Sequence, residues 1–342
     1  MTRLLKFKHL LFGALKMKKF TKKALPLTTV ALLTTLAVSL AAPVQAGVIA
    51  TAILEITNFR LTDVNGVPLD NITDIEITEG NNFGVLTADL FSPANPITSE
   101  NQSELILSAS GGQFDGNQQC EGTCMPFVNN DFTQRVLPVA NPDTYAYADN
   151  NLTGAAIDLD IDGDGTIDIN AGVSAQTRAD VMLDTTNEGT STSNVGTNTS
   201  FVFTAQADLL MNIDFDAVAQ AFAYVNIATS FAPSTATAGV SWNLSLEDLN
   251  TSVILNYAPG EIQLSAARTF ATAEFNEVSN QTFAGSLGTQ FQLISGNTYQ
   301  LAITQATQVN ATKTIIDVPE PGSLALLGLG LLGLGARRFR RS

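Results

Sequence analysis

Between Asp158 and Asp168 the chain reads Asp-Leu-Asp-Ile-Asp-Gly-Asp-Gly-Thr-Ile-Asp. Carboxylates at alternate positions crowd hard oxygen atoms together, and their mutual repulsion calls for a divalent cation or for water. With Asp160 at position 1 of a calcium loop, Asp162 and Asp164 fall at positions 3 and 5. Gly165 then takes position 6, Thr166 offers its carbonyl at 7, and Asp168 falls at 9 behind the apolar Ile167.

The pattern departs from a full EF-hand at position 12, where Ala171 replaces the bidentate Glu, and no helical pattern flanks it. It resembles the shortened Asp-rich calcium loops of extracellular bacterial proteins. The expectation is a structural Ca²⁺ held by Asp160, Asp162, Asp164, Thr166 and Asp168; the alternative is a solvated acidic turn.

Other chemistry is constrained by what the chain lacks. The one histidine is His9. Beyond the first 46 residues there is none, which removes Ser-His-Asp and Cys-His catalysis and the common zinc sites. A carboxylate-only mechanism of the glycosidase type survives, although no pair of carboxylates stands out as acid and base. Of the 17 Lys and Arg, eight precede Gly47 and four follow Ala336, leaving Arg60, Arg135, Arg178, Arg268 and Lys313 in between. Of the 32 Asp and Glu, all but Glu320 lie in that same central body. So acidic a surface repels nucleic acid and anionic lipid and attracts divalent cations.

The two ends read as addresses. Residues 1–46 carry basic residues and no acid, then an apolar stretch from Ala24 to Ala42, then Pro43-Val44-Gln45-Ala46. That is the layout of a secretory signal peptide, with signal peptidase cutting between Ala46 and Gly47. Either Met1 or Met17 is the start, since Met17-Lys18-Lys19 opens a more usual basic region. At the other end Pro319-Glu320-Pro321 precedes an uncharged run, Leu324 to Ala336, closed by Arg337, Arg338, Arg340 and Arg341. The prolines keep the triplet extended and open to a processing enzyme. Thirteen residues of helix span only about 20 Å, short of the roughly 30 Å hydrocarbon core. Four glycines weaken the run further as a permanent anchor. The arginines keep its end on the cytoplasmic side.

Triplet, apolar run and basic cluster together resemble the PEP-CTERM sorting signal of bacterial exported proteins. The resemblance implies recognition and removal of the tail by exosortase, a membrane protease-transferase, after transient insertion in the inner membrane of a Gram-negative-type bacterium. It implies delivery to the cell surface or extracellular matrix, and it concerns sorting only. In an exported chain Cys120-Glu-Gly-Thr-Cys124 is expected to close a small disulfide loop that orders its neighbourhood. A redox role fits less well, because the spacing is not Cys-x-x-Cys.

Between the signals, short runs of Val, Ile, Phe, Thr and Ala alternate with Asn, Gly, Asp and Ser clusters, which predicts strands throughout. Leu54 and Ile56 lead to an Asn65-Gly66 turn, and Ile75, Ile77, Leu105 and Leu107 mark further runs. The longest alternation, Phe201 through Phe215, predicts one half-buried antiparallel strand, with Ala219 to Ile227 as its partner. Phe291-x-Leu293 and Tyr299-x-Leu301 flank Ser295-Gly296-Asn297 and predict a hairpin. Trp242 and Tyr257 are better placed for core packing than for stacking on a sugar.

The predicted organisation is all-β: residues 1–46 as signal peptide, 47–317 as a large antiparallel, jelly-roll-like β-sandwich, and 318–342 as a sorting tail with a short apolar helix. The function expected first is a non-enzymatic surface or matrix protein associated with exopolysaccharide. A carbohydrate-binding module and a carboxylate-based glycan hydrolase or lyase are the alternatives.

Overall fold

β-branched and aromatic residues at period two leave one face of each segment apolar, and two such sheets bury their faces against each other. The computed structural model describes residues 47–70, 73–91, 101–110, 114–123, 130–137, 144–153, 173–184, 188–225, 234–270 and 277–314. All belong to the unit of the chain that begins at Gln45. The strands are β1 (Val48–Thr62), β2 (Ile75–Phe91), β3 (Asn101–Ser110), β4 (Phe114–Gly122), β5 (Tyr145–Thr153), β6 (Val173–Leu183) and β7 (Gly189–Ala205). Then come β8 (Leu209–Val225), β9 (Ser234–Asp248), β10 (Val253–Tyr257), β11 (Leu264–Thr269), β12 (Glu277–Leu293) and β13 (Thr298–Lys313). Among the described residues no helix is long and apolar enough to cross a membrane.

A six-stranded sheet has the order β12-β8-β1-β6-β5-β4, and a seven-stranded sheet the order β10-β9-β13-β7-β2-β3, with β11 on the same β9. All pairings are antiparallel. From β6 to β9, and again from β11 to β13, each strand crosses to the sheet opposite its predecessor, as in a jelly roll. The core between the sheets holds Trp242 against Phe215, with ring centroids 4.6 Å apart, and Phe203 against Tyr299 at 5.6 Å. Where β7 faces β5 the layers are Ala and Ser. Ser191 and Ser193 donate to the Tyr145 and Tyr147 carbonyls at 2.9 and 2.7 Å, so small side chains let the sheets approach.

Two strand expectations are corrected. Phe201–Phe215 is not one strand: the chain bends at Gln206–Asp208, and the segment from Leu209 joins the opposite sheet. The inward phase resumes unchanged after the bend, so the alternation hides it. Ala219 to Val225 accordingly continues β8 instead of pairing with it. The Gly296 turn exists, with φ of +80°, but β12 pairs with β8 whereas β13 pairs with β7 and β9. It is a corner between sheets, not a hairpin.

The register also fixes the two ends of the sandwich. Val48 lies beside Leu183 and Val225, and Lys313 beside Gly189 and Ser234. Lys313 Nζ donates to the Asp184 carbonyl. The body's first and last strands therefore enter and leave at one end, the exit end, from the middle of facing sheets. At the far end the chain turns at Asp63–Val67, Asp70–Asp74, Gln206–Asp208, Leu249–Ser252 and Ile294–Asn297.

Candidate functional site

On the outer face of the six-stranded sheet, alternation places Tyr145, Tyr147 and Asp149 of β5 beside Arg178, Asp180 and Met182 of β6. Asp149 is opposite Arg178, and Tyr147 is opposite Asp180. The rows continue through Thr51 and Ile53 of β1 to Phe222 and Gln220 of β8. An outer face of this composition would ordinarily be solvated. Here residues 130–137, between β4 and β5, lie over it as a strap.

The strap is held at several points. Asn130 N donates to Asp149 Oδ2 at 2.9 Å, and Arg178 Nη1 donates to the Asp131 carbonyl at 2.6 Å. Arg135 N donates to Gln220 Oε1 at 2.6 Å, and Gln220 Nε2 returns to the Arg135 carbonyl at 2.9 Å. The Arg135 guanidinium pairs with Asp180 and donates to the Tyr145 hydroxyl at 2.7 Å. Arg178 Nη2 reaches the same Asp180 oxygen at 2.7 Å, and the Tyr145 hydroxyl donates to Asp180 Oδ1 at 3.2 Å. Phe132 is buried, and Ile49, Tyr145, Tyr147, Met182 and Phe222 form a small apolar cluster on this face.

Asp149 and Asp180 are both 0 % exposed. Burial raises both carboxyls. At Asp180 the guanidinium groups of Arg135 and Arg178 overcome it and hold the group below the ordinary carboxylate range. At Asp149 burial wins over the Tyr147 and Asn130 hydrogen bonds and pushes the group up to about 6. Two nearby carboxyls thus titrate far apart. In the primary sequence the only hint was the scarcity of cations: Arg135 and Arg178 are two of the body's five.

The residues predicted from sequence fall elsewhere. Asp160, Asp162, Asp164, Thr166 and Asp168 lie outside the described residues, as do Ala46, Pro319, Glu320, Pro321 and the apolar run. Gly47 is buried beside the Leu183 carbonyl, immediately before β1. Cys120 is half-buried on β4, packs on the tyrosine cluster and carries no free thiol; Cys124 is outside the described residues. Trp242 is 1 % exposed and lines an apolar cavity between the sheets with Phe59, Phe201 and Gln305, so it is core and no sugar platform.

Fold and strap define an acidic β-sandwich in which two of the scarce cations, Arg135 and Arg178, hold the strap to the outer face. Comparison with known families assigns its C-terminal segment: the PEP-CTERM protein-sorting motif matches residues 317–341. The chain is an exported protein carrying the signal for exosortase processing and cell-surface sorting. Comparison with curated proteins and with solved structures finds no match.

Proposed function

We propose that the protein is a structural, non-enzymatic component of the cell surface or extracellular matrix, released from its tail by exosortase and associated with exopolysaccharide. The sorting motif at 317–341 carries this reading. It is supported by the use of Asp149 and Asp180, which hold a strap instead of facing a cleft. The test is co-sedimentation of the secreted protein with exopolysaccharide from an exosortase-bearing host, alongside an assay for released reducing ends. Binding without release supports the proposal.

Release abolished by Asp149→Asn would favour the glycan hydrolase or lyase reading, since a raised carboxyl near an ionised one is the acid/base split such enzymes use. That reading requires the strap to lift. We also keep the calcium proposal for Asp160, Asp162, Asp164, Thr166 and Asp168, with affinity in the range of about 10⁻⁴–10⁻³ M. Calorimetric titration with Ca²⁺ is expected to show one site that Asp162→Ala removes; identical isotherms assign the loop to a solvated turn.

A further inference from the structure

We infer that the sandwich closes while the sorting tail is still in the membrane, and that its exit end is the face that docks on exosortase. The inference rests on the exosortase reading above and adds the surface and the timing. β13 joins the two parts of the seven-stranded sheet: it lies between β9 and β7 and pairs with both along nearly its whole length. Without it that sheet is two separate pieces, so the fold completes only once Lys313 has cleared the membrane. Lys313 is 3 % exposed and tied to the Asp184 carbonyl, which makes it a fixed point.

From Lys313 to Pro319 the chain has five intervening residues, 314–318. Fully extended, that link reaches about 20 Å. An enzyme bound to the Pro-Glu-Pro triplet must therefore work within that distance of the end bearing Asp184, Glu188, Gly189, Ser234 and Lys313. Gly47 opens onto the same end, so the described body is entered and left at one pole. The far end is directed outward, and Thr153 and Ser174 close β5 and β6 away from Gly47.

The experiment follows conversion of precursor to mature protein by pulse-chase in an exosortase-bearing host. Deleting Ile315 and Ile316 draws the triplet toward the exit end. Conversion is expected to slow at least tenfold, and a twelve-residue Gly/Ser spacer after Thr314 in the same variant is expected to restore it. Protease resistance of each precursor checks that the body is folded. Conversion of the deletion variant at the wild-type rate would overturn the inference, as would slowing that the spacer does not relieve, which assigns the effect to recognition of the deleted residues. A photo-crosslinker on Glu188→Cys is expected to capture exosortase, and one on Asn65→Cys at the far end is not; the reverse result also overturns it. Conversion that persists when Pro319-Glu320-Pro321 is replaced by alanines would instead refute the exosortase reading itself.

Discussion

The two ends of the sandwich use their charged side chains differently. At the far end carboxylates cap turns locally. Asp63 Oδ1 accepts from Asn65 N and Val67 N, both at 2.8 Å, and Asp248 Oδ1 accepts from Asn250 N at 2.9 Å and Thr251 N at 3.2 Å. These partners are two to four residues apart in sequence. Toward the exit end the strap contact from Asp180 to Arg135 joins residues 45 apart, and the Lys313 contact joins residues 129 apart. Local caps form as soon as their segment exists. The far end has distant contacts too, from Ser295 N to Asp208 Oδ1 and from Asn212 Nδ2 to the Asp63 carbonyl, both at 2.7 Å, but among these contacts only those toward the exit end are made by a cation.

Removing the shared anion of the strap should give the largest effect. Asp180→Ala leaves Arg135 and Arg178 beside an empty site, and loss of one partner from a buried ion group costs about 3–5 kcal/mol. Urea unfolding of the secreted form checks it. A loss comparable with that of a surface substitution would mean that the strap contributes little.

Asp149 should give the next largest effect, as a dependence on pH. Folded, its carboxyl holds a proton up to about 6, against roughly 4 in the unfolded chain. Between those values the folded state binds more protons, so this group's contribution to stability falls as pH rises through the window, by at most about 2–3 kcal/mol. Asp180, whose folded value is depressed, works in the opposite sense and loses its contribution as pH falls. The readout is therefore the difference between wild type and Asp149→Asn from pH 4 to 7: the variant should gain relative stability as pH rises. Parallel curves would show that Asp149 does not titrate in this window.

A pair of glycines sharpens the comparison at smaller scale. Gly122, at the exit end, has φ of +91°, and a Cβ there would press on the Thr144 carbonyl and come within 2.8 Å of Leu90 Cδ2. Gly296, at the far end, has φ of +80° but open space around a Cβ. Gly122→Ala should cost about 2 kcal/mol, from strain and overpacking, and Gly296→Ala about 1 kcal/mol, from strain alone. Thermal unfolding of the two variants should rank them in that order.

Much of the fold was legible because period-two patterning survives nearly everywhere. Leu54 and Ile56, Ile75 and Ile77, and the Asn65-Gly66 turn all sit where patterning places them, and Trp242 packs inside as its neighbours implied. The sheet in which a strand resides was not legible. Phe201–Ala205 and Leu209–Phe215 share one alternation across a change of sheet, and Gly296 suits a hairpin and a corner equally. The strap was hidden for a related reason. Tyr145, Tyr147 and Asp149 alternate with Ala146, Ala148 and Asn150 like an exposed face, and the strap that covers it, shortly upstream, has no period-two pattern to mark it as a packing partner. The sorting signal was legible because it depends on composition and order within one short segment.

The measurement closest to the central claim is mass spectrometry of the surface-associated protein from an exosortase-bearing host. The account predicts a mature chain that begins at Gly47 and lacks the Leu324–Arg341 peptide, with that peptide present in the precursor. Recovery of intact Leu324–Arg341 from the mature surface form would contradict it and make the tail a plain membrane anchor.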